Sequence, residues 1–242
     1  MMNAPIFRSI VCALACALIA VSASADTARN AMRAGEELMG EEDYSAAAVK
    51  FVEAAELAPG QNLEPSPAWF NAGNAMYRAG NYEEASSHYH RALDSDEVEL
   101  QARIYHNLGN IDMIAADAAL DMDQDAVAAL SSYEQALENY ERAIVLDPEY
   151  LDPKFNYELS QLRMARLFGF VGSLEADLRR ARDMAREREY QDAAELLHRK
   201  MEDHRLAFQL EPDLEERYQE LLQRNSELAE IIQRLEGGAD VF

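Results

Sequence analysis

The residues best suited to chemistry in this chain are three alternating aspartates and five histidines, and neither set has the spacing its chemistry needs. Asp121, Asp123 and Asp125 imitate the opening of a calcium loop. Such a loop continues with a glycine for its sharp turn and ends on a bidentate glutamate at its twelfth position, because a large cation must be wrapped by many oxygens. Ala126 and Ser132 occupy those places here, so the aspartates read as an acidic helix tip. His88 and His90 are two residues apart, which on a helix points them to different sides. His198 and His204 miss the four-residue separation of a helical metal pair and have no zinc motif around them. All five, His106 included, read as surface or partly packed helix residues. Both cysteines, Cys12 and Cys16, lie near the start, and no Gly-x-Ser-x-Gly turn presents a serine. The expectation is a protein without catalysis, metal or cofactor, which makes function a question of surfaces.

Those surfaces must be positioned by helices. Tyr44-Ala47-Phe51-Ala54, Tyr82-Ala85-Tyr89-Ala92 and Tyr133-Ala136-Tyr140-Ala143 repeat one spacing, which puts each set of four on one helix face. Upstream of each, Gly35, Gly73 and Gly109 interrupt good helical sequence. Glycine costs about 1 kcal/mol against alanine inside a helix, so three placed alike predict close helix crossings. The predicted unit is a helical hairpin stacked on copies of itself. In the third copy 15 extra residues, near Ile114 to Leu130, separate Gly109 from Ala136. They add about two turns to each arm and keep the packing faces in register. The expectation is a long projecting hairpin with the three aspartates near its tip, and the alternative is an acidic loop.

At the start of the chain, Arg8, the apolar run Ile10 to Val21 and Ala23-Ser24-Ala25 before Asp26 form a cleaved secretory signal over residues 1–25. The run is too short to span a bilayer. Ala13-Leu14-Ala15-Cys16 resembles a lipoprotein site, but the apolar run continues past Cys16 to a complete small-residue site, so lipid anchoring is not expected. Removing the signal would leave no cysteine, and stability would rest on packing. It would also leave 21 basic against 45 acidic residues, a balance that repels nucleic acid and anionic lipid surfaces.

The repeated positions resemble the tetratricopeptide family pattern of tryptophan, leucine-glycine, tyrosine, alanine, aromatic and proline. Repeat 2 carries Trp69, Ala72-Gly73, Ala85, Tyr89 and Ala92. Repeat 1 carries Ala34-Gly35, Ala47, Phe51, Ala54 and Pro59. Repeat 3 carries Tyr105, Leu108-Gly109, Ala136, Tyr140, Ala143 and Pro148. The resemblance implies an all-α, right-handed superhelical solenoid over residues 26–167, with an elongated third hairpin and a following helix. A break at Gly169 to Ser173 is expected next. Beyond it, 174–236 would hold a degenerate hairpin (Leu178, Ala181 and Met184 on one arm; Tyr190, Ala193 and Leu197 on the other, extending to Pro212) and a capping helix from Asp213 to Gly237-Gly238.

In that family the first helices of the hairpins line the concave side. The resemblance therefore places Arg29 and Arg33 there from repeat 1, Asn71, Asn74, Tyr77 and Arg78 from repeat 2, and Arg103, Asn107 and Asn110 from repeat 3. The next helix adds Asn156. Asparagine donates and accepts, so a ladder of them can hold an extended peptide backbone, and arginine pairs with carboxylates bidentately. Asparagine beside the glycine also has structural uses, so a partner docking elsewhere remains open.

The signal, the repeats and the run Phe155-Asn156-Tyr157-Glu158 together resemble the exported tetratricopeptide proteins of bacterial Bat (aerotolerance) operons. That resemblance implies a periplasmic scaffold beside von Willebrand A-domain membrane proteins and a MoxR-type ATPase, with no membrane span after signal cleavage. A periplasmic chaperone or holdase is the alternative. Leu214, Tyr218, Leu221, Asn225, Leu228, Ile232 and Leu235 form a heptad seam with one asparagine. The seam suits a capping helix, or a homodimeric coiled coil through residues 214–235.

Overall fold

The computed structural model describes residues 28–122 and 124–239. The expected signal, both cysteines and Asp123 lie outside them. Every regular element among the described residues is helical. Helix α1 covers 28–40, and α2 is Tyr44–Leu57, followed by a short 3-10 turn, Pro59–Gln61. Next come α3 (Ser66–Arg78), α4 (Tyr82–Ala92), α5 (Val98–Asp121), α6 (Ala126–Leu146) and α7 (Leu151–Arg186). Helix α8 (Tyr190–Lys200), a 3-10 turn at Glu202–His204, α9 (Arg205–Leu210) and α10 (Pro212–Ala239) complete the described residues. No helix among the described residues is long and apolar enough to cross a membrane.

The helices gather into two compact units. Among the described residues, one comprises those up to Ile111 with Asn139–Lys154, the other those of Asp112–Glu138 with those from Phe155 onward. In the first unit α3 packs on both α2 and α4, and one core runs from Ala31 to Leu108. The three glycines explain its tightness. A Cβ on Gly35 would fall 2.6 Å from the ring of Phe51, one on Gly73 2.6 Å from Tyr89, and one on Gly109 2.6 Å from Tyr140. Each aromatic lies on the following helix and is almost wholly buried. Ala47, Ala85 and Ala136 are completely buried on those helices, as close crossings require. Glycine and ring are sixteen residues apart in the first two hairpins and thirty-one in the third. The fifteen inserted residues account for the difference, so the insertion lengthened α5 and α6 without disturbing the contact.

Four turns share one construction. Glu42, Gly80, Gln124 and Arg188 all adopt positive φ, and the next helix begins two residues after each. Asp43, Asn81 and Glu189 donate their backbone N–H to the carbonyls of Leu38, Met76 and Met184, five residues back, which closes the preceding helix. The turn between α7 and α8 therefore repeats those of the first two hairpins.

In the second unit Leu174, Leu178 and Ala181 of α7 meet Ala193, Leu196 and Leu197 of α8, Phe208 of α9, and Leu214 and Tyr218 of α10. Helix α10 packs along α8, with Asn225 of the heptad seam buried, so the first part of that seam faces its own unit. Several expectations need correction here. The break at Gly169 to Ser173 is absent, because α7 is one helix of 36 residues. A Cβ on Gly169 or Gly172 would meet nothing, and buried Leu167 and Leu174 on either side hold the helix to its core. The chain consequently divides within α5, α6 and α7 rather than at 168–173. The second arm of the fourth hairpin stops at Lys200, where the chain turns so that His204 enters the core. Gly237 and Gly238 do not end α10.

The long third hairpin is present, and α5 and α6 take up most of the inserted residues as helix. Asp125 accepts from the N–H groups of Val127 and Ala128 at 3.1 and 2.9 Å, and Gln209 of α9 accepts from Ala126 N–H at 2.7 Å. Three of the orphan donors that open α6 are thereby satisfied. With Gln209 and Arg205 bonded to Gln124 as well, the tip is docked within the second unit rather than projecting.

Candidate functional site

The first unit contains an open groove of about 520 Å³. Its walls come from the first helix of each hairpin: Glu36 and Met39 from α1; Phe70, Asn71, Asn74, Tyr77 and Arg78 from α3; Arg103 and Asn107 from α5. Helices α2 and α4 contribute only Phe51 and Tyr89, the rings that lie against glycine, and Tyr150 adds one edge. A ring pressed onto a bare stretch of the first helix reaches through to the groove floor, so the glycine contact that builds the hairpin also surfaces the site.

Three polar groups interlock at the centre. Asn74 Oδ1 accepts from Tyr89 Oη at 2.8 Å and from Asn107 Nδ2 at 3.0 Å, while Asn107 Nδ2 lies 3.1 Å from Tyr89 Oη. Helices α3, α4 and α5 are thus tied together, and burial holds the Tyr89 phenol well above its ordinary pKa, so it remains a donor. In the third hairpin Tyr140 Oη donates to Asn110 Oδ1 at 2.8 Å in the same way. In the first hairpin the ring is Phe51, which has no hydroxyl, and the residue after the glycine is Glu36 instead of asparagine. Hydroxyl and asparagine occur together or not at all. Asn74 and Asn110 are therefore built into the hairpins, while the Glu36 carboxylate stands in the groove.

The charges in the groove are few. Arg103 lies 4.6 Å over the Phe70 ring, which orients its guanidinium. Arg78 is exposed and makes no hydrogen bond or ion pair among the described residues. Asn71 reaches only the Met32 sulfur, at 3.9 Å, a weak contact that leaves its carbonyl and second N–H open. Tyr77 packs edge-on against Tyr82 at 5.5 Å, and burial raises its pKa. Tyr150 pairs with His106 Nδ1, and burial raises the tyrosine and lowers the histidine, so the pair is neutral at neutral pH. Two guanidiniums against the one carboxylate of Glu36 make this groove cationic in a chain of net charge −23.

Six of the expected residues meet here: Asn71, Asn74, Tyr77, Arg78, Arg103 and Asn107. Arg29 and Arg33 do not line the groove. They continue the helical stripe of Glu36 past its edge, about 10 and 4.5 Å further along the axis of α1. Asn110 is engaged with Tyr140, and Asn156 belongs to the second unit, where its carbonyl accepts from Ser160 Oγ at 2.8 Å. Glu36 was missed, although it holds the same place after Gly35 that Asn74 holds after Gly73. Tyr150 lies outside the repeats and carried no signal.

Glycine-seated aromatics, paired helices and a groove lined by alternate helices define an all-α array of tetratricopeptide-like hairpins. Residues 66–97, which span α3 and α4, match the tetratricopeptide repeat family, so the second hairpin is such a repeat. A repeat of this kind suggests a scaffold for protein–protein contact. A search of the curated proteins finds no match.

Proposed function

We propose that the protein is an exported, non-catalytic scaffold of the cell envelope that holds an extended acidic segment of a protein partner in the groove of its first unit. The observation that carries this reading is the pair of guanidiniums, Arg78 and Arg103, set with the open amide of Asn71 in an otherwise acidic chain. Exposed charge pairs contribute about 0.2–1 kcal/mol each, so charge here steers and orients the segment. The secretory pattern of residues 1–25 supports a periplasmic setting. The resemblance carried by Phe155 to Glu158 supports a von Willebrand A-domain partner in a Bat/MoxR-type system.

Replacing both cations, Arg78→Glu with Arg103→Glu, should weaken capture of the native partner about tenfold, and wild-type capture should fall as salt rises. Circular dichroism should show an unchanged fold, since neither side chain is buried. Wild-type capture by the folded double variant would refute the groove as the site. A holdase role is favoured by a different observation, the exposed Phe155, Leu162 and Phe168 of α7. It predicts suppressed aggregation of unrelated unfolded proteins, with no stoichiometric partner.

A further inference from the structure

The second unit has its own cleft, larger than the first at about 670 Å³. One wall is already settled: Tyr133 Oη donates to Asp117 Oδ1 at 2.8 Å, and Arg163 pairs with the other carboxylate oxygen. Burial, then the hydrogen bond to Asp117, pushes the Tyr133 phenol up to about 12, so the hydroxyl stays a donor, and the Arg163 guanidinium balances the Asp117 charge. Leu120, Leu167, Phe170 and Leu206 make the remaining surface apolar. At its edges stand one carboxylate, Asp121, and one guanidinium, Arg166. Both are exposed, and neither makes a hydrogen bond or ion pair among the described residues. An apolar depression bordered by an unpaired anion and an unpaired cation is complementary to a large apolar group with opposite charges on its two sides.

From this arrangement we infer that the cleft is a second protein-recognition site, for a short linear segment in which a large apolar residue lies between an acidic and a basic one. The apolar side chain seats on Phe170 and Leu206, the carboxylate meets Arg166, and the cation meets Asp121. A fatty acid would present a carboxylate to Arg166 but leave Asp121 facing apolar chain, which disfavours it. This site stands on residues that the first groove does not share, so either reading can fail without the other.

Short random peptides displayed on phage, selected on the full chain carrying Arg78→Glu and Arg103→Glu, isolate this cleft from the groove. Selection should enrich acidic–apolar–basic triplets, and Arg166→Glu should weaken a selected peptide at least tenfold. Repeating the selection on Arg166→Glu should replace the acidic position with a basic one, a switch that damage to the fold would not produce. Enriched peptides that bind folded Arg166→Glu and Leu206→Glu at wild-type strength would overturn the proposal. So would the absence of any enriched triplet, or Arg166-dependent binding of the fluorescent fatty acid cis-parinarate in its place.

Discussion

The glycines of the first unit and those of α7 are the same residue in opposite roles. Gly35, Gly73 and Gly109 each hold back a Cβ that would strike a buried ring at 2.6 Å, whereas Gly169 and Gly172 face open space. A glycine inside a helix marks a close crossing only when an aromatic sits at the right distance along the next helix. Sixteen residues, or sixteen lengthened by the insertion, supplies that partner in the first unit. Nothing supplies it for α7, where the glycines are a propensity cost of about 1 kcal/mol each and no more.

The sharpest way to break this contrast is to add one methyl group to each kind of site. Gly73→Ala should destabilise by about 1–3 kcal/mol, because the Tyr89 ring has no room to move. Gly169→Ala should stabilise by about 0.5–1 kcal/mol. Denaturant titration of both variants reads the two signs. Equal signs would mean that the glycines are not distinguished by their surroundings.

A smaller effect sharpens the comparison between hairpins. Tyr89→Phe removes the hydroxyl that ties α4 to Asn74 and should cost about 0.5–1.5 kcal/mol. Phe51→Tyr would meet the exposed, solvated carboxylate of Glu36 in place of a part-buried asparagine, and the water given up by both groups offsets any bond they make, so it should not stabilise. A stabilised Phe51→Tyr protein would contradict the pairing of hydroxyl with asparagine.

The third effect is a pH dependence of the second hairpin. The His88 ring stacks on Trp69 at 5.6 Å with no hydrogen-bond partner for either nitrogen, and burial lowers its pKa while Glu84 partly opposes this. With the folded pKa below the unfolded one, the unfolded chain binds the proton more readily. Stability is then complete above about pH 6.5 and falls as the pH drops toward the folded value. His88→Phe keeps a ring against Trp69 and cannot titrate, so its melting temperature should fall less than the wild type's between pH 7 and 5. Buried His106 supplies a residual slope. Identical pH profiles would remove His88 from the account.

Much of the fold was legible because tight packing leaves a periodic trace. The repeated tyrosine, alanine, aromatic, alanine spacing with a glycine upstream disclosed the three hairpins, and an insertion that keeps the packing faces in register pointed to long arms. The continuity of α7 was not legible, since two unpacked glycines look in sequence like two that end a helix. The docking of the long hairpin's tip through Gln209 was equally hidden, because one hydrogen bond across eighty-three residues has no local signature. Of the groove's lining, the tetratricopeptide resemblance named Asn71, Asn74, Tyr77 and Arg78 of α3 and Arg103 and Asn107 of α5, but not Phe70 of α3. Arg29 and Arg33 were misplaced because register fixes a helical stripe and not where along it a groove ends.

The most direct measurement is photo-crosslinking in the native envelope, with a photoreactive residue in place of Arg78 and, as a control, in place of Val145, an exposed residue of the same unit that does not line the groove. Binding in the groove predicts a discrete partner adduct from position 78, little from position 145, and loss of the position 78 adduct when Arg103→Glu is added. Equal adducts from both positions, or a position 78 adduct undiminished by Arg103→Glu, would contradict the groove as the site of partner binding.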